Sequence, residues 1–203
     1  MIELRYGQPL PSRDFQIIEE MDAEIYGADI FTCPGLANER FRRCPDFFVT
    51  ALDGPRLVGA WSTYPVKPGL WEKVLASGHM LDDDVDPDFI VPLSRERPND
   101  LMAFDLVVDP AYRGRGIANQ IMEGYRLLIR RRQEEGYSFR RLFGYVITPM
   151  GYHVMKRYGA KLVRPVDEGQ LFSIDLDAFL RQGAVPGRVP PPPANLTPLG
   201  GLG

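Results

Sequence analysis

Arg113, Gly114, Arg115 and Gly116 follow an apolar run, Leu101 to Val108, that Asp109-Pro110 brings to an end. Glycines two apart let a ligand approach the backbone with no Cβ in the way. Ile117, Ile121, Met122, Tyr125, Leu128 and Ile129 then recur at helical spacing. The reading is strand, turn, helix. The first turn of a helix carries N–H groups without intrahelical partners, so it favours an anion, typically a phosphate. Arg113 and Arg115 add positive charge there. The Walker loop needs a Gly-Lys pair that this chain lacks, and the dinucleotide fingerprint needs a third glycine where Asn119 stands.

Groups able to move a proton are few. Asp105 is the only carboxylate within the central run, and it reads either as a base or as an edge-facing or salt-bridged side chain. Thr148-Pro149 opens a predicted helix from Met150 to Tyr158, proline being well tolerated in a first turn. Its Tyr152 and Tyr158 are either packed aromatics or proton donors. His79 and His153 are the only histidines, and His153 points about 100° away from Tyr152. No Gly-x-Ser-x-Gly elbow supports a Ser-His-Asp hydrolase. Cys33 and Cys44 have no zinc spacing, so no metal site is expected.

The arrangement Arg113-x-x-Gly116-x-Ala118, after LVVDPAYRGRG, closely resembles the coenzyme A loop of the GNAT acetyltransferase superfamily, whose pattern is Gln/Arg-x-x-Gly-x-Gly/Ala. The resemblance implies acetyl-CoA, or a short acyl-CoA, as co-substrate, with no metal. Backbone N–H groups of Arg115, Gly116, Ile117 and Ala118 would take the pyrophosphate, in a loop that includes Arg113 and Gly114. Leu106, Val107 and Val108 would line the coenzyme A arm, an N–H of Val107 or Val108 serving the oxyanion. The family's proton-donating tyrosine lies in Asn-x-x-Ala-x-x-x-Tyr, with Gly four residues further on. Counted back from Gly159, that position is Met155, with Thr148 and Gly151 at the asparagine and alanine positions. Methionine has no proton to give. Tyr152, on the same helix face, is the first substitute and Tyr158 the second. The implied activity is transfer of an acyl group to a primary amine of a small molecule or peptide by direct attack. The rival is a non-catalytic acyl-CoA-binding or sensing module.

The elements fit an α/β (α+β) fold with a mixed, largely antiparallel sheet flanked by helices. Ile2 to Tyr6 reads as a strand, and Ser12 to Tyr26 as a helix with Ser12 at its cap. A short helix is expected over Asn38 to Arg43. Phe47 to Leu52 and Arg56 to Tyr64 flank Asp53-Gly54, a strong hairpin signal. Residues 67–99 form a long insert with a helix over Leu70 to Ala76. Arg130, Arg131 and Arg132 suit the end of the central helix, and Arg141 to Ile147 is a strand. Lys161 to Val166 and Leu171 to Leu176 make the last hairpin. Residues 1–180 are read as one domain and 183–203 as a Pro/Gly-rich tail without a core of its own.

The resembling family builds its acceptor pocket from the first helical region and the third and fourth strands. Here that implies Phe31, Arg40 and Phe41, walls from Trp61, Tyr64 and Trp71, and negative charge from Asp82, Asp83 and Asp84. The acidic run would attract a cationic amine, or it is simply a solvated turn. Over 203 residues the formal charge of −3 gives no basic field for nucleic acid. No apolar run is long enough to span a membrane, and MIELRYGQPL lacks the apolar core of a signal peptide. A cytoplasmic protein is expected, with a homodimer as a candidate assembly.

Overall fold

The apolar run 101–108 lies inside the strand Asn99–Val108 (β4) of the computed structural model, which describes residues 1–26, 34–81, 85–167 and 169–182. Around it stand Ile2–Tyr6 (β1), Phe48–Asp53 (β2), Arg56–Val66 (β3), Phe139–Val146 (β5), Lys161–Val166 (β6) and Gly169–Asp175 (β7). They form one seven-stranded sheet in the order β1-β2-β3-β4-β5-β7-β6. Only β4 and β5 run parallel. The helix between them, Ile117–Glu134 (α4), is the crossover that a parallel pair requires.

Helices cover both faces. Ser12–Tyr26 (α1) and Pro34–Arg43 (α2) seat Phe15 and Phe41, stacked at 4.3 Å, against Phe48 and on toward Tyr64. On the opposite face α4 lays Tyr125 on Trp61, ring centres 4.5 Å apart. Leu70–Ala76 (α3) has the expected bounds. Further along the insert, residues 89–91 fold back on β3, where Lys67 and Val91 donate to Phe89 and Pro65 carbonyls. Among the described residues no helix is long and apolar enough to cross a membrane.

Most elements keep their expected bounds within two residues, and two depart further. The second helix begins at Pro34, earlier than Asn38. The last strand ends at Asp175, one residue short of Leu176, and Leu176–Gln182 is a helix (α6) where none was expected. Asp175 Oδ1 accepts the Ala178 N–H at 2.8 Å, capping that helix. Leu176, Phe179 and Leu180, at helical spacing, are buried.

Candidate functional site: a split sheet, an anion turn and an acidic recess

The turn after β4 is braced before any ligand arrives. Asp109 Oδ1 accepts the Ala111 N–H at 2.9 Å, while Oδ2 takes Arg56 at 2.7 Å. The Tyr112 hydroxyl donates to Asp53, 2.9 Å away, and Arg115 lies over the Tyr112 ring. Gly114 and Gly116 have φ of 74° and 78°, a region that favours glycine. Gly116 starts α4 with no side-chain cap among the described residues, so the first N–H groups of the helix have no intrahelical acceptor. A Cβ at Gly114 or Gly116 would meet nothing within 4 Å. The turn is an open cradle of N–H groups beside Arg113 and Arg115.

From that cradle a cleft runs between β4 and β5. The two strands pair only from Asn99↔Phe139 to Met102↔Phe143, then part. Gly144 marks the parting: a Cβ there would sit 2.8 Å from the Ala103 carbonyl. Past Met102 one edge of β4 has no strand partner. Asp105 N–H bonds to Ser62 and Asp109 N–H to Val58, both toward β3. Strand alternation therefore aims the Leu106 and Val108 N–H groups into the cleft, and Val107 N–H away from it. The cleft wall includes Asp105, Leu106 and Val108 from β4, Tyr145 from β5, and Arg113 and Ala118 at the cradle.

A bulge in β4 shapes the far end. Trp61 pairs with Leu106 and Thr63 with Ala103, so Phe104 and Asp105 together oppose Ser62. Phe104 meets Tyr64 (5.2 Å), and Ser62 Oγ donates to Asp105 Oδ2 (2.9 Å). Ser62 and Tyr64 share one strand face, so the bulge turns both Phe104 and Asp105 toward α1 and α2. There a smaller recess is lined by Glu19, Asp22, Arg40, Tyr64, Phe104 and Asp105. Asp22, Phe104 and Asp105 also line the cleft, so the two spaces meet at these side chains. Arg40 is buried, its Nε donating to Val85 O (3.1 Å) and its guanidinium 4.9 Å from the Phe104 ring centre. Burial and the nearby Asp105 charge push Glu19 up to about 7, against the pull of Arg40. Burial above all raises the Tyr64 phenol, with Asp105 adding to it.

The expected proton donors lie elsewhere. Met155, the position counted back from Gly159, lines the cleft. Tyr152 is buried against His153 and lines neither space. Tyr158 is also buried, its hydroxyl 3.2 Å from both Asn119 O and Glu123 Oε1. Burial first, then Glu123, pushes it to about 12. Trp61 lines the cleft and Tyr64 the recess, while Trp71 packs on Phe143 and under Arg141. His79 sits 3.2 Å from Asp167. Arg130 holds Leu180 O, and Arg131 and Arg132 pair with Glu135, Arg132 also with Asp46. Phe31, Asp82, Asp83, Asp84 and residues 183–203 lie outside the described residues.

Glu19, Asp22 and Ser62 were not singled out from the sequence. A signal existed: Glu19 and Asp22 stand four and seven residues after Phe15, on the apolar face of α1. Carboxylates on a buried face need a reason.

A split mixed sheet opening on a bare helix start makes this an α+β protein with an open strand edge beside a helix N-terminus. The chain belongs to the Acetyltransferase (GNAT) family, whose profile matches residues 15–136. Its fold is that of the loading GNATL domain of CurA from Lyngbya majuscula (TM-score 0.64, 11% identity, 87% of this chain and 98% of that one). It is also that of the GphF GNAT-like decarboxylase in complex with isobutyryl-CoA (0.63, 14%, 86% and 99%). The Drosophila melanogaster polyamine N-acetyltransferase shares it too (0.59, 13%, 86% and 100%). At these identities the likeness is one of fold. A search of curated proteins by sequence gave no match.

Proposed function

We propose that the chain is an N-acyltransferase that moves an acetyl or short acyl group from acyl-CoA to a primary amine. The carrying observation is the split between β4 and β5, closed at one end by the Arg113–Ala118 cradle and at the other by an acidic recess. The pyrophosphate binds the N–H groups of Arg115, Gly116, Ile117 and Ala118, beside Arg113 and across Gly114. The pantetheine arm follows Leu106, Val107 and Val108, and one of the inward N–H groups, of Leu106 or Val108, polarises the thioester carbonyl. The acceptor, a small-molecule or peptide amine, enters past Asp105. A polyamine acetyltransferase of the same fold supports a cationic acceptor. The leaving thiol has an ordinary pKa of about 8.5, so it departs without a dedicated acid, in keeping with Met155.

Met155 also favours a second reading, a non-catalytic acyl-CoA-binding module. Calorimetric titration with coenzyme A, then thiol release from acetyl-CoA with a panel of amines, amino acids and peptides, decides between them. Binding that Gly116→Trp abolishes, with amine-dependent thiol release, is expected. Binding without release with any acceptor establishes the second reading, and no binding removes both.

A further inference from the structure

We propose that Glu19 of α1 is the group that takes the proton from the incoming amine, and that the recess it lines holds that amine as an ammonium ion. The inference rests on the acyltransfer reading and adds to it the proton acceptor and the acceptor's charge.

Its basis is the meeting of two cavities. An amine that attacks a thioester lying along β4 must come within bonding distance of the cleft at Asp105, where recess and cleft share walls. Asp105 is held there by the bulge and by Ser62 on both its carboxylate and its N–H. It is fixed to hold charge at the mouth. Glu19 stands deeper, half-buried, with Asp22 on its own helix, Arg40 on α2, Tyr64 on β3 and Asp105 on β4 around it. Three carboxylates against one guanidinium leave the recess net negative, which favours a cation. At about 20 Å³ the recess has room for an ammonium head, with the Phe15, Tyr64 and Phe104 side chains as its apolar wall. A carboxylate that titrates near neutrality is matched to general-base work there, and burial beside Asp105 brings Glu19 to about 7.

The step balances. One proton passes from the ammonium to the Glu19 carboxylate. The freed lone pair forms the C–N bond to the thioester carbon, and the tetrahedral oxyanion then expels the thiolate. The second proton leaves the nitrogen and ends on the thiolate sulfur. Glu19 returns its proton to solvent.

The test compares wild type, Glu19→Gln and Glu19→Asp by steady-state kinetics from pH 5.5 to 9, with acetyl-CoA and a diamine. In wild type, kcat/KM for the amine should fall below an inflection near pH 7. Glu19→Gln should lose on the order of 10²-fold at pH 7.5 and lose the inflection, with KM for acetyl-CoA unchanged. Glu19→Asp should restore part of the rate and the inflection. Glu19→Gln that keeps the inflection, or stays within about twofold of wild type, overturns this inference and leaves acyl transfer standing. A neutral amine preferred to the diamine overturns the ammonium recess. Wild type that binds coenzyme A but acylates no amine removes the acyltransfer reading, and this inference with it.

Discussion

Glu19 holds its proton more tightly in the folded chain than outside it, and that has a thermodynamic sign. Its ordinary value is 4.5, and burial beside Asp105 raises it to about 7. Between those values the folded protein binds a proton that the unfolded chain releases. Stability from this group is therefore full below pH 4.5 and declines as pH rises toward 7. Glu19→Gln should melt above wild type at pH 8 and level with it at pH 4, by calorimetry. Equal melting at both would mean that Glu19 is solvated. At Tyr158 the expectation is the reverse of a catalytic one. Its hydroxyl ties α5, Pro149–Arg157, to Asn119 and Glu123 on α4. Tyr158→Phe should lower stability by about 1 kcal/mol and leave kcat within twofold, as denaturant melts and thiol release would show.

At the scale of elements, the bulge in β4 is what carries Asp105 to the recess. Ser62→Ala removes the hydroxyl that grips both its carboxylate and its N–H. It should raise KM for the amine several-fold while coenzyme A affinity, by calorimetry, stays put. The cradle responds in the opposite way. Gly116→Ala strains a positive φ by about 1–2 kcal/mol and sets a methyl in the proposed pyrophosphate cradle, so coenzyme A binding should weaken while the amine KM holds. The two variants show what could be read from the chain beforehand. The strand, the glycine turn and the helix at Ile117 were legible because proline, glycine and 3.6-residue spacing act locally. The bulge was not, since it exists only as a mismatch between β3 and β4. Nor was the end of β7: Leu171 to Leu176 reads as one strand until Asp175 is seen capping the next helix. The recess was least legible. Glu19 and Asp22 stand out on the apolar face of α1, but their neighbours Asp105 and Tyr64 join them only when α1 packs over the bulge.

Across the whole molecule α6 ties α4 to β5 and β7. Phe179 packs on Tyr125 and Tyr158, and its carbonyl accepts from Arg126. Phe179→Ala should remove about 3–5 kcal/mol, read as a lower denaturation midpoint, without altering the cradle. The parting of β4 from β5 reaches further. Only four register pairs, Asn99↔Phe139 through Met102↔Phe143, join β1–β4 to β5–β7–β6. An unpaired strand edge at a protein's rim is a template for aggregation, and here it is turned inward. The amides of the pantetheine arm are the right chemistry to act as an absent strand along it. Substrate would then be a structural member of the sheet. Saturating coenzyme A, at about 100 times its Kd, should add about 2.7 kcal/mol and slow amide hydrogen exchange at Leu106 and Val108 above all. Without that arm the seam would be half-zipped, and each cycle of binding and release would close and open it.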